Sequence, residues 1–237
     1  MWHGVRRSIA VRRYHQRVPD PTFPKRDPAG PEFWDLRYGA SFAPWDAGKV
    51  PAQLRAFVAA SPQARRALVP GCGSAWDVRF LAESGWDVLG IDFSDAALAA
   101  ARAVLGTYAD RVRRADFFAP LAGEPFAVVY ERAFLCALPR RMWAGWGKRM
   151  AEVVAPGGIL AGFFFFGEGE RGPPFPLAAQ DELAALLEPA FERIAEEPVP
   201  DSIAVFAGKE RWQAWRRQVS SPKRSDWGLA FAACSST

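Results

Sequence analysis

From residue 66 onward, short apolar runs alternate with longer segments whose apolar residues recur every three to four positions. The runs are Ala67-Leu68-Val69-Pro70, then 87–91, 112–115, 126–130 and the unbroken 159–166. Between them, 74–84, 95–105, the segment from Pro139 to Val153, and 179–188 carry helical spacing. Punctuation agrees with these limits. Gly85 can end the first of these helices, and Ser94 can cap the second by accepting an orphan backbone N–H. Pro156-Gly157-Gly158 stops the third. A helix over 51–60, with Pro51 at its start, precedes the first strand. The stretch 191–216 supplies two closing strands and a short amphipathic end with Trp212 and Trp215. Strand–helix alternation with continuously apolar strands predicts an α/β fold: a Rossmann-like, doubly wound, mostly parallel seven-stranded sheet with helices on both faces.

Three regions break the alternation. Residues 1–30 are Arg-rich, carry Pro19, Pro21, Pro24 and Pro28, and read as a disordered basic extension. An organellar transit peptide fits them less well, because Ser is scarce and the prolines interrupt any amphipathic helix. The loop 167–177 is long and rich in Gly and Pro, a feature often tied to function. Residues 218–237 form a tail. The domain expected between the extensions is therefore 31–217.

The chemistry gathers around the first strand. Gly71 and Gly73 permit a tight turn and close backbone approach. Asp92 closes the next apolar run, where a ribose needs hydroxyl acceptors, so the pair forms a nucleotide-type βαβ unit. Three residues after Gly73 stands Trp76, where a dinucleotide fingerprint has Gly for the pyrophosphate. A nucleoside without pyrophosphate is favoured, and S-adenosylmethionine is such a ligand. Asp116-Phe117 at the end of the third strand would suit an adenine, carboxylate to amino group and ring to ring; an ordinary strand-end turn reads the same way. Glu131-Arg132 ends the fourth strand, at the crevice where open α/β sheets bind ligands. Aromatic residues 34, 38, 42 and 45 recur at helical spacing. That spacing favours a core face, with a lid of rings over a sulfonium cation as the sharper alternative.

Composition narrows the chemistry further. Half of the 237 residues are apolar and the net charge is +4. The excess lies in the tails: residues 1–30 hold seven basic and two acidic residues, whereas 31–217 hold 21 basic and 23 acidic. Nothing there suggests a nucleic-acid surface. Cys72, Cys136 and Cys234 form neither a disulfide framework nor a zinc pattern, so no metal is expected and a reducing cytoplasm is the default. No apolar run reaches the ~20 residues of a membrane span. Both histidines, His3 and His15, lie in the N-terminal extension, which removes imidazole-based triads and metal sites from the body.

Taken in order, Trp34, Trp45-Asp46, Leu68-Val69-Pro70-Gly71-Cys72-Gly73, Gly90-Ile91-Asp92, Asp116-Phe117-Phe118, Phe134-Leu135-Cys136-Ala137-Leu138 and Gly172-Pro173-Pro174-Phe175 resemble the thiopurine and thiol/halide S-methyltransferase family. The resemblance spans about 32–217. It implies S-adenosylmethionine as cofactor and a small-molecule methyl acceptor, with a monomeric, cytoplasmic enzyme. It further implies that Trp34 and Trp45 close over the cofactor, and that Gly71 with Gly73 meets its methionine part. Asp92 would take the ribose, Asp116 and Phe117 the adenine, and Glu131 would lie near the methionine end. Arg132 would position an anionic acceptor; its alternative is an ion pair with Glu131 or another carboxylate. Tyr38 departs from the second Trp of plant halide/thiol members, and Glu131-Arg132 departs from their Asp-Tyr, which leans the chain toward thiols and thiopurines. A halide or thiocyanate methyltransferase, a nicotinamide-dependent oxidoreductase and a non-catalytic nucleoside-binding module are the alternatives.

Overall fold

A computed structural model describes residues 21–219, apart from Pro62 and Pro189. Two helices, α1 (Pro31–Gly39) and α2 (Ala52–Ala59), lead into β1 (Arg66–Pro70), α3 (Trp76–Glu83), β2 (Asp87–Asp92), α4 (Asp95–Leu105) and β3 (Val112–Arg114). The second half runs β4 (Phe126–Arg132), α5 (Trp143–Val153), β5 (Val154–Phe165), α6 (Gln180–Leu187), β6 (Phe191–Pro198) and β7 (Glu210–Arg217). The seven strands lie in the order β3-β2-β1-β4-β5-β7-β6. Only β7 runs against its neighbours.

Alternation along the strands divides the core in two. Leu68, Val129, Leu160 and Phe164 face α5 and α6, packing with Trp146, Met150, Leu183 and Leu187. Their neighbours Ala67, Val69, Val128 and Tyr130 face the other way and meet Leu54, Val78, Leu81 and Leu98 of α2, α3 and α4. Because both faces of the sheet are covered at its centre, β1, β2, β4 and β5 are largely apolar, as their sequence pattern anticipated, whereas β3, β6 and β7 carry charged residues. The helices do lie on both faces of a mostly parallel sheet.

Two expectations change at the carboxyl-terminal half. Trp212 and Trp215 belong to β7, not to an amphipathic end. Their odd spacing, helix-like to the eye, sends them to opposite faces of the strand: Trp212 joins the α3 side and Trp215 the α5 side. Pro156-Gly157-Gly158 ends the helix as expected, but sits inside β5. There the register slips, with Phe126 opposite Val154 and Val128 opposite Ile159, so the three residues form a bulge. The N-terminal boundary also moves. Residues before 31 pack on the body: Phe23 lies 5.5 Å from Phe42, Pro28 O accepts from Trp34 Nε1 at 2.8 Å, and Asp27 pairs with Arg141. One aromatic ring, one proline carbonyl and one carboxylate supply these contacts. Residues 1–20 of the expected extension, and the tail beyond 219, lie outside the described residues.

Close packing between β4 and β5 gives a test. A methyl group on Gly162 would lie 2.6 Å from Glu131 Cβ and collide with the Glu131 carbonyl oxygen. Gly162→Ala should lower unfolding free energy by about 3 kcal/mol in urea titrations. Gly39→Ala, with nothing within 4 Å of the added carbon, should leave it unchanged or raise it by up to about 1 kcal/mol.

Candidate active site

The sheet reverses its winding between β1 and β4, and a cavity of about 440 Å³ opens beside the carboxyl ends of these strands. Its floor is the turn after β1. The backbone is left-handed at Gly71 (φ 58°), Gly73 (φ 52°) and Ala75 (φ 62°). Every second residue adopts that conformation, so the third special position is Ala75, one residue before the Trp76 that the fingerprint spacing singled out. At Gly71 a side chain would meet the Phe134 ring at 2.5 Å, and at Gly73 it would meet the Tyr38 hydroxyl. Here the glycines admit aromatic rings against the turn.

Asp92 holds this floor in register. Its Oδ2 accepts from Gly73 N at 3.1 Å and its Oδ1 from Ser94 N at 2.9 Å. Each oxygen keeps a second lone-pair direction for a sugar hydroxyl. Burial raises its pKa to about 6, against the lowering effect of those backbone donors. Ser94 caps α4 by accepting from Ala97 N at 3.0 Å, as expected, and donates its own hydroxyl to Asp35 Oδ1 at 2.6 Å. Asp35 also takes Ala96 N at 3.1 Å, so a carboxylate from α1 sits on the positive end of α4.

That contact anchors the wall above. Trp34 and Trp45 meet edge-to-face at 5.5 Å, Tyr38 and Trp45 at 5.9 Å, and Trp45 Nε1 donates to the Tyr38 hydroxyl at 3.3 Å. Residues 34, 38, 42 and 45 all line the cavity. Their spacing favoured a core face, but α1 ends at Gly39 and the chain then turns back. It is Phe33, outside the pattern, that is buried.

Strand alternation separates Glu131 from Arg132. Arg132 turns to the α3 side, stacks on Phe163 at 4.2 Å, pairs with Glu210 at 3.7 Å and lines the cavity. An ion pair was the alternative reading for Arg132; its partner comes from β7, with Ser202 Oγ donating to the same carboxylate at 2.6 Å. Glu131 is fully buried on the other face. Its Oε1 accepts from Phe134 N at 2.7 Å and Leu135 N at 3.1 Å, which secures the turn after β4.

Trp34, Trp45, Gly71, Gly73, Asp92 and Arg132 thus share one cavity, whereas Asp116, Phe117 and Glu131 stand outside its lining. Phe117 is buried edge-on behind Phe134 at 5.2 Å. Asp116 is exposed and accepts from Phe118 N at 2.9 Å, the turn that the bare motif also allowed. It follows Ala115, whose N–H donates to Asp92 O at 3.0 Å, and so lies next to the end of β2. Phe93, Asp77, Val205 and Phe206 line the cavity without having been singled out. Phe93 adjoins Asp92 and could have been noticed. Phe206 and Val205 lie in the β6–β7 connection, distant in sequence from every motif. Cys72 and Cys136 are neutral thiols at the wall, their pKa values pushed up first by burial.

The profile of the thiopurine S-methyltransferase family matches residues 29–218. The chain belongs to that family. It is 30% identical over 191 residues to thiocyanate methyltransferase 1 of Brassica oleracea, covering 78% of this chain and 84% of that protein. It is 29% identical to thiopurine S-methyltransferase of Photobacterium profundum, covering 66% and 82%. Among solved structures, a Burkholderia thailandensis 1,6-didemethyltoxoflavin-N1-methyltransferase with bound S-adenosylhomocysteine shares the fold. Its TM-score is 0.62 at 16% identity, over 84% of this chain and 94% of that one. The protein is an S-adenosylmethionine-dependent methyltransferase acting on sulfur nucleophiles. Its residues fit the cofactor: Asp92 keeps free acceptor positions, and aromatic rings wall a cavity that has to hold a sulfonium.

Glu131 makes the turn after β4 sensitive to pH. Burial raises its pKa to about 7 from an ordinary 4.5, and the folded state therefore binds its proton more tightly than the unfolded chain. The stability tied to that proton is present below about pH 4.5 and is lost as pH rises through about 7. Between about pH 5 and pH 8, urea unfolding should show Glu131→Gln gaining on the wild type by on the order of 2 kcal/mol. A gap independent of pH would mean that this carboxyl titrates normally.

Proposed function

We propose that the methyltransferase acts on small organic thiols, thiopurines or related sulfur and selenium compounds, by in-line displacement. The observation that carries this reading is the lining of the cavity. Val205, Phe206, Pro173 and Pro174 give its lining apolar surface, and Arg132 adds a cation to the same lining. Apolar surface of this kind has a use for an organic acceptor. Gly172, Pro173 and Pro174 come from the 167–177 loop, which supports a role for that loop in choosing the acceptor.

When bound, S-adenosylmethionine supplies an activated methyl group, released from its sulfonium sulfur as the acceptor sulfur bonds to it. The chain's own contribution is position: alignment at attack distance can supply ~7–11 kcal/mol. A soft thiolate needs no strong base. Arg132 favours that anion and orients it, or orients a carboxylate carried by the acceptor. Its stacking on Phe163 fixes the guanidinium plane. Trp34, Tyr38 and Trp45 keep water from the reacting atoms and offer ring faces to the sulfonium.

Asp92 is the proposed ribose acceptor. Asp116 beside it is proposed for the adenine amino group, and Phe117 supports the ring site from behind Phe134. Glu131 shapes the methionine end through the turn it secures, and Gly71 and Gly73 form the floor. No described helix is long and apolar enough to cross a membrane. Cysteine usage supports a cytoplasmic location, and the near-neutral charge of the body supports the absence of a nucleic-acid partner.

With a thiol panel and mass detection of products, Arg132→Ala should lower kcat/KM for anionic acceptors by about ten- to a hundredfold. The dissociation constant of S-adenosylhomocysteine should stay within about twofold of wild type. A loss confined to cofactor binding would contradict the acceptor role.

A further inference from the structure

Three buried polar atoms have no hydrogen-bond partner among the described residues and lie beside the cavity: Asp77 Oδ1 and Arg132 Nη1, from residues that line it, and the Tyr130 hydroxyl behind them. Tyr130 and Arg132 occupy alternate positions of β4 and so share its α3 face. Asp77 stands on the first turn of α3 and lines the cavity. Both β4 side chains lie close enough to act on its carboxyl, Arg132 by charge and Tyr130 with its hydroxyl, though that hydroxyl makes no well-formed hydrogen bond to it. Isolation of this kind is costly, since a desolvated carboxylate without a full set of donors is unfavourable. Burial raises its pKa only to about 6, so it is mostly ionised at neutral pH. An ionised carboxylate with an unused oxygen, in the wall of a ligand cavity, awaits a cation.

We infer that Asp77 receives the α-ammonium group of the cofactor's methionine moiety. The inference rests on the S-adenosylmethionine assignment and adds a binding residue to it. Sheet order supplies the direction. Asp92 ends β2, the glycine turn leaves β1, and Tyr130 and Arg132 end β4, three neighbours in the order β2-β1-β4. A nucleoside held at Asp92 that crosses the Gly71–Ala75 turn brings its amino-acid end to the β4 side. Asp77 stands there, four residues beyond the Gly73 whose N–H Asp92 holds, and Asp46 of the same lining adds negative charge beside it. Tyr130, 1% exposed, sets its orientation from behind. Arg132 beside it is already countered by Glu210. Arg132 and Arg55 act on Asp77 through charge without forming an ion pair with it, which leaves a direct partner for the ligand to bring.

Isothermal calorimetry with two probes tests this. S-adenosylhomocysteine carries the ammonium group, and 5′-methylthioadenosine keeps the nucleoside but lacks the amino acid. Asp77→Asn should weaken S-adenosylhomocysteine about ten- to a hundredfold and leave 5′-methylthioadenosine within about twofold. Equal losses for both probes, or no loss for either, would overturn the role, including the case in which only turnover falls because Asp77 serves the acceptor. If the variant does not fold, wild-type protein decides. S-adenosylhomocysteine lacking only its amino group should bind at least about tenfold more weakly than the parent, and equal affinity would overturn the role. Failure of wild type to bind S-adenosylhomocysteine at all would overturn the cofactor site itself, and this role with it.

Discussion

The site depends on one carboxylate, Asp92. Two turns converge at the carboxyl ends of β1 and β2; Cys72 N in the first donates to Ile91 O at 3.0 Å, but Gly73 N and Ser94 N are left for a side chain to take. Asp92 takes one N–H from each, Gly73 and Ser94, and so joins the glycine turn to the start of α4. The chain continues outward: Ser94 to Asp35, and Asp35 to the N-terminus of α4, which fastens the aromatic wall of α1 to the same point. A hydrogen bond to an ionised group is roughly twice as strong as a neutral one, so the cost of burying Asp92 is spread over donors that all serve the cavity.

Around that anchor the protein places charge by strand parity. Glu131 and Arg132 are adjacent in sequence and part at the sheet, the acid to the α5 side and the base to the α3 side. Glu131 there becomes a structural clamp on the turn that carries Phe134, and Arg132 joins Asp77, Tyr130 and Glu210 beside the ligand space. Burial raises the pKa of Asp77 and Asp92 to about 6 and that of Glu131 to about 7. A binding site assembled from desolvated carboxyls is less stable empty near neutral pH than its packing alone would suggest, and a cationic ligand relieves part of that cost.

Much of this was legible along the chain. The strands and helices were read close to their observed places because both sheet faces are covered, which leaves continuous apolar runs separated by helical spacing. The family motifs located Trp34, Trp45, Gly71, Gly73, Asp92 and Arg132, and all six line one cavity. Asp77 was missed because nothing marks an acid in the first turn of a helix as unusual. Asp35 was hidden within an aromatic stretch for a similar reason: its partner, Ser94, is distant in sequence. Tryptophans 212 and 215 were misassigned because a spacing of three reads as helical, and in a strand it means opposite faces.

Periodicity, local turn chemistry and composition need no tertiary contact, and they determined the fold class, the glycine turn, the acid that ends the second strand and the absence of imidazole from the body. Which side of the sheet each charge faces, which aromatic rings close the cavity, and which buried atoms lack a partner depend on residues far apart in sequence. Only the tertiary structure decided those, because burial and hydrogen-bond satisfaction are set by what packs against a group and not by what precedes it.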